Sequence, residues 1–121
     1  DDSVFSWQSP DGSEILGIHF PLGYGYNRYL PADKEEAVKK ILETEEKIAD
    51  RFKDNEIMLM GGGDHTTIQK GLPDIINYAN EYFQKNNYDL NIKISNPELL
   101  TKDIKNALKQ SSRKLQVLHG E

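Results

Sequence analysis

Ile57-Met58-Leu59-Met60-Gly61-Gly62-Gly63-Asp64-His65 is the stretch on which the fold turns. Four consecutive apolar residues suit a strand buried on both faces, as strands of a parallel sheet are. Three glycines end the run, and Asp64 and His65 follow at once. Downstream, Leu72, Ile75, Ile76, Ala79, Tyr82 and Phe83 recur at helical spacing, with Pro73 in the first turn, where its missing N–H costs nothing; a helix is predicted over 72–85. Leu90, Ile92 and Ile94 alternate with Asn91 and Lys93, which predicts a half-buried strand over 90–94. Asn96-Pro97 then opens a third helix over 97–109, with Asn96 as N-cap and Leu100, Ile104, Ala107 and Leu108 facing inward. Leu115-Gln116-Val117-Leu118 is a last strand, over 115–119. Strand, helix, strand, helix, strand is the βαβαβ order of a parallel sheet in an α/β fold.

Upstream the pattern differs. Val4-Phe5-Ser6-Trp7-Gln8 and Glu14-Ile15-Leu16-Gly17-Ile18-His19-Phe20 flank Pro10-Asp11-Gly12-Ser13. Pro presets φ and Gly accepts a positive one, so the segment predicts a β-hairpin. Residues 21–31 carry three tyrosines and two glycines between two prolines and fit no period, hence a loop. From Asp33 the chain turns helical over 33–53: Asp33 and Glu36 have capping-box spacing, and Val38, Ile41, Leu42, Ile48, Ala49 and Phe52 form the stripe. The expected organisation is one catalytic α/β domain over 1–121, with hairpin and loop 1–32, helix 33–53 and βαβαβ 57–121. The three-strand sheet would be an incomplete one, a portion of a larger whole.

Composition narrows the function. The 121 residues hold 15 Lys plus Arg against 20 Asp plus Glu, a net charge of -5. That balance argues against a nucleic-acid partner or an anionic membrane surface, both of which call for a basic patch. No apolar run approaches the ~18 residues of a membrane-spanning helix. There is no cysteine, which excludes disulfide scaffolds, Cys-bound zinc and Cys nucleophiles. A cysteine-free chain without a glycosylation sequon fits a cytoplasmic location. The chain opens Asp1-Asp2-Ser3 without Met and reads as a piece of a longer polypeptide.

In a parallel α/β sheet, ligands sit at the carboxyl ends of strands. Three loops qualify, and 61–71 is the richest. Gly61-Gly62-Gly63-Asp64-His65 has three readings. A phosphate cradle lacks its Lys-Ser/Thr and leaves Gly-x-Gly-x-x-Gly incomplete. A tight turn would have Asp64 or Thr66-Thr67 capping the next helix. A catalytic site would have Asp64 offering its carboxyl to a cleft as acid or base. Tyr24-Gly25-Tyr26-Asn27 suits a sugar, because rings stack on pyranose faces and an amide bonds hydroxyls both ways, but it equally suits a loop packed by its own tyrosines. His19 and His119, beside apolar strands, read as structural histidines. The three histidines have no ligand spacing, so no self-contained metal site is expected.

Phe5-Ser6-Trp7-Gln8-Ser9-Pro10-Asp11-Gly12-Ser13, Phe20-Pro21 with Tyr24-Gly25, Met60-Gly61-Gly62-Gly63-Asp64-His65-Thr66-Thr67-Ile68-Gln69, and His119-Gly120-Glu121 resemble, in order and spacing, successive stretches of glycoside hydrolase family 38. These are the retaining α-mannosidases, and the bacterial members are the most similar. The resemblance implies an internal part of the N-terminal catalytic domain, a portion of an incomplete (β/α) barrel. It implies hydrolysis of α-D-mannosidic bonds, with zinc holding the sugar and both zinc ligands and nucleophile outside these residues. The family's acid/base stretch falls on Gly62-Gly63-Asp64, which gives that role to Asp64, with His65 beside it against substrate. Its Tyr-x-Tyr-Asp sugar loop falls on Tyr24-Gly25-Tyr26-Asn27, which makes Tyr26 and Asn27 substrate contacts, with Asn27 in place of the acid. Some members carry a second acid where Gly63 stands. The implied partners are an α-mannoside and the rest of the parent polypeptide, and the segment alone should be inert. A phosphorylated or glycerate-linked mannoside is as compatible as a plain mannobiose. The reading outside this class is a non-catalytic carbohydrate-binding or interaction module. A nucleotide-binding α/β domain built on the triglycine loop is a third.

Overall fold

The hairpin forms as its turn chemistry dictates: β1 (Val4–Gln8) pairs antiparallel with β2 (Glu14–Ile18), from Val4 opposite Ile18 to Gln8 opposite Glu14. Asp11 closes the turn, accepting from the Ser13 N–H at 2.8 Å and from the Ser9 hydroxyl, while Gly12 takes φ +88°. Midway along, the Phe5 ring covers Gly17 so closely that a Cβ there would lie 2.4 Å from it. These coordinates come from a computed structural model that describes residues 2–120.

Three helices follow as the periodicity predicts. They are α1 (Lys34–Ile48), extended by a 3-10 turn (Ala49–Arg51), α2 (Leu72–Lys85) and α3 (Pro97–Ser111). Asp33 caps α1, its carboxylate accepting from the Glu36 N–H at 2.9 Å. Asn96 caps α3, accepting from the Leu99 N–H at 2.9 Å. At the other end of α3, Ser112 takes the left-handed conformation (φ +53°) that ends many helices.

The sheet is mixed and has three strands, in the order β2-β1-β3, where β3 (Val117–His119) runs parallel to β1. The α/β class therefore holds, but the βαβαβ pairing does not: β3 joins the hairpin, and residues 57–61 and 90–94 carry no strand ladder. The reason lies in where backbone groups find partners. Ile92, expected mid-strand, has its N–H donating to Asn80 Oδ1 at 2.7 Å and its C=O accepting from Asn80 Nδ2 at 2.8 Å. A side-chain amide of α2 thus replaces a neighbouring strand. The apolar alternation still counts in packing: Leu59, Leu90 and Ile92 lie against the core, while Ile94 is exposed.

The chain divides into two units. The first comprises Asp1–Gly23, Ile48–Met58 and Asn96–Glu121 and contains the sheet and α3. Val4, Ile48, Phe52, Leu100 and Ile104 are buried there. Its polar anchor is Arg113, which forks onto Asp54 and reaches Asp2 at 3.3 Å, with Lys53 at 2.8 Å on the other side of Asp2. The second unit comprises Tyr24–Lys47 and Leu59–Ser95. Its core is Val38 and Ile41 of α1 against Ala79 and Phe83 of α2, with Leu30, Tyr78 and Tyr82 packed on it. No helix among the described residues is long and apolar enough to cross a membrane.

Candidate active site

Two loops of the second unit, 24–30 and 61–69, are held to each other by Gln69 and Tyr24, and Arg28 lies across from one to the other. Gln69 clasps Leu30 by both backbone groups, its Oε1 accepting from the N–H at 3.1 Å and its Nε2 donating to the C=O at 2.8 Å. The Tyr24 hydroxyl donates to Asp64 Oδ1 at 3.3 Å. The Arg28 guanidinium lies on Gly63, where a Cβ would stand 2.9 Å from Nε and 3.3 Å from Nη2.

The glycine-rich loop is a turn with exposed chemistry. Gly62 takes φ +99°, and His65 takes φ +58°, a conformation uncommon for a residue with a side chain. Gly63 C=O accepts from the Thr66 hydroxyl at 2.6 Å and the Thr66 N–H at 3.3 Å, which closes the turn and leaves Asp64 and His65 exposed at its corner. Neither Asp64 nor Thr66 caps the next helix: α2 starts at Leu72 behind Gly71, with no side-chain cap. The turn reading of this loop is right about its shape, while the helix-capping role it offers Asp64 is absent.

The four site residues expected from sequence fall in different surroundings. Asp64 and His65 are exposed together. Tyr26 is partly exposed and turned to α1: Lys47 Nζ donates to its hydroxyl at 3.0 Å, and Lys40 and Lys47 stand 5.8 and 5.6 Å from its ring centre. That hydrogen bond holds the Lys47 ammonium above its ordinary pKa. Asn27 is buried at 6% exposure, its Oδ1 3.4 Å from the Thr44 hydroxyl, whose proton has a shorter bond to Lys40 C=O at 2.7 Å. Two further residues reach the glycine loop, Tyr24 at Asp64 and Arg28 at Gly63, and neither was singled out from the sequence as a site residue. Tyr24 was visible as the first tyrosine of the sugar-type motif, and Arg28 as the only charged residue of 21–31. His19 and His119, expected as structural histidines, are both exposed; His119 ends β3, and the His19 N–H donates to Ser3 C=O at 2.7 Å. Glu121 of the last motif lies outside the described residues.

Chemically, the loop pair offers one carboxylate, Asp64, with a phenol donating to it, on glycines that leave space for a ligand. A single carboxyl so placed can exchange a proton with a bound molecule. Among the described residues no three His, Cys, Asp or Glu side chains converge as metal ligands.

The glycosyl hydrolases family 38 N-terminal domain matches residues 1–121. A protein of Halalkalibacterium halodurans named "Putative mannosylglycerate hydrolase" is 32% identical over 124 residues, covering 98% of this chain and 12% of that protein. No solved structure matches the chain significantly. Matched along its whole length by that model and 32% identical to that relative, the chain belongs to glycosyl hydrolase family 38, within the N-terminal domain.

Proposed function

We propose that this chain is part of a longer glycoside hydrolase that cleaves α-D-mannosidic bonds with retention of configuration, and that Asp64 is its general acid/base. The observation that carries the reading is Asp64 itself, exposed on a glycine turn beneath the Tyr24 hydroxyl in a family 38 chain. Retention requires two carboxyl groups ~5–5.5 Å apart. The loops 21–31 and 61–71 contain only Asp64, so the nucleophile comes from elsewhere in the enzyme. Zinc, where the enzyme uses it to hold the sugar, takes its ligands from outside these residues as well, and the roles given to this chain do not depend on it.

In the glycosylation step Asp64 gives its proton to the leaving oxygen; in deglycosylation it takes one from water. Tyr24 orients the carboxyl through its hydrogen bond, and His65, fixed at the turn corner, faces the substrate beside it. General acid catalysis is worth ~10²–10⁴-fold. Asp64→Asn in the longer enzyme should slow a natural mannobiose or mannosylglycerate by about that factor. It should spare glycosyl-enzyme formation from an aryl mannoside whose phenolate needs no proton. Proton NMR of the first product should show the α-anomer. Normal rates on a disaccharide in a folded Asp64→Asn variant would return Asp64 to the role of a turn residue, and an initial β-anomer would exclude retention.

A further inference from the structure

We infer that Gln69 is a positioning residue for the proton donor: by clasping Leu30 it sets the separation of the two loops at which the Tyr24 hydroxyl meets the Asp64 carboxyl. The inference rests on Asp64 as the acid/base of the hydrolase reading and adds to it the residue that keeps the acid in place.

Three observations carry it. First, Gln69 is anchored at both ends. Its backbone C=O accepts from the Leu72 N–H at 3.1 Å, at the start of α2, and its side chain grips Leu30, which packs on the core of Val38, Ile41, Ala79 and Phe83. A carboxamide carries an acceptor and a donor side by side, so one side chain serves both the N–H and the C=O of Leu30. Second, Gln69 supplies most of what joins the loops. Among the described residues they share three hydrogen bonds, and two are Gln69's. Third, the remaining bond is weak alone. Tyr24 is 61% exposed, and its hydroxyl meets Asp64 at 3.3 Å across forty positions of sequence. The net gain from one exposed hydrogen bond is about the size of the entropy lost in holding two side chains together, so it forms only where the backbones are already in place. Gln69 fixes one backbone five residues from Asp64, and Leu30 fixes the other six residues from Tyr24. With Tyr24 on Oδ1, the acid proton sits on Oδ2. It passes to the glycosidic oxygen, and the electron pair of the broken O–H bond stays on the carboxylate, which keeps the phenol's bond.

The test measures kcat/KM of the longer enzyme on two substrates. One is an unactivated α-mannoside (mannobiose or mannosylglycerate, whichever it cleaves), whose leaving oxygen needs the proton; the other is an aryl mannoside whose phenolate leaves without it. Gln69→Met keeps the stem and removes both bonds to Leu30. It should lower kcat/KM on the unactivated substrate by ~10–100-fold, the cost of displacing a reacting group by about 1 Å, and spare the aryl mannoside. Tyr24→Phe, which removes the far end of the same linkage, should give the same selective loss. Gln69→Glu keeps the acceptor for the Leu30 N–H and should lose less; if Gln69→Met does not fold, Gln69→Glu is read in its place by the same ratio. In the Asp64→Asn background Gln69→Met should cost nothing more, because the group it positions is gone. Equal losses on both substrates make Gln69 a folding residue only and overturn the assignment, as does a further loss beyond that of Asp64→Asn. An enzyme that cleaves no α-mannoside, or whose Asp64→Asn variant is unimpaired on the unactivated one, overturns the acid reading and Gln69 with it. If Asp64→Asn shows its full loss and Gln69→Met none, only the Gln69 assignment fails.

Discussion

Asp11 and Asp64 are both exposed aspartates in turns, and their surroundings set them to different work. The Asp11 carboxylate accepts from the Ser9 hydroxyl first and from Ser13 second, and these bonds hold it down to about 2 against an ordinary 3.8. Because the folded state binds this proton less tightly, its contribution to the hairpin is present above 3.8 and is lost as pH falls toward about 2. An NMR titration of the Asp11 carboxyl should find its midpoint well below that of an unstructured peptide, and Ser9→Ala should move it upward. The Asp64 carboxylate instead meets a phenol from a residue forty positions away, on a turn opened by Gly62 and cornered by the left-handed His65. Asp64 was legible in the sequence because glycines after an apolar run mark a loop that can carry chemistry. Tyr24 and Arg28 were not, because their meeting with Asp64 and Gly63 depends on how two separate loops approach.

At the scale of elements, local signals decide the helices. Asn96 and Ser112 bracket α3, and both ends are testable. Asn96→Ala removes the acceptor of the Leu99 N–H and should cost ~1 kcal/mol in urea unfolding. Ser112→Gly, at φ +53°, should gain ~0.4–1 kcal/mol, since glycine adopts that conformation without steric cost. Residues 90–94 are the opposite case. Their alternation marks Leu90 and Ile92 as inward, and both pack on the core, but the partner of the Ile92 backbone is Asn80 and no strand. Asn80→Ala leaves that N–H and C=O without their amide and should cost ~1–3 kcal/mol, read as faster hydrogen exchange at Ile92. Asn80→Asp keeps the acceptor for the Ile92 N–H and should cost less at that amide.

At the scale of the molecule, each unit has its own buried residues. In the second, Phe83 is fully buried between α1 and α2 and meets Tyr82 and Tyr88 edge-on at 6.2 and 5.9 Å. Phe83→Ala should cost ~3–5 kcal/mol. Hydrogen exchange should show lost protection in α1 and α2; unchanged protection there would mean that the ring is not what holds the two helices.

What the sequence determined by itself is local in origin: the hairpin and its turn, three helices with the Asp33 and Asn96 caps of α1 and α3, the α/β class, and the glycine loop that carries Asp64. Those features follow from interactions between residues a few positions apart, which spacing and residue type encode directly. Tertiary structure alone decided that β3 pairs with β1 across more than a hundred residues. It alone set Asn80 against Ile92, Tyr24 against Asp64, and Arg28 on Gly63. An apolar run specifies that a segment be buried, but not which backbone will lie beside it; that choice falls to whichever donors and acceptors the packed helices and loops bring within reach.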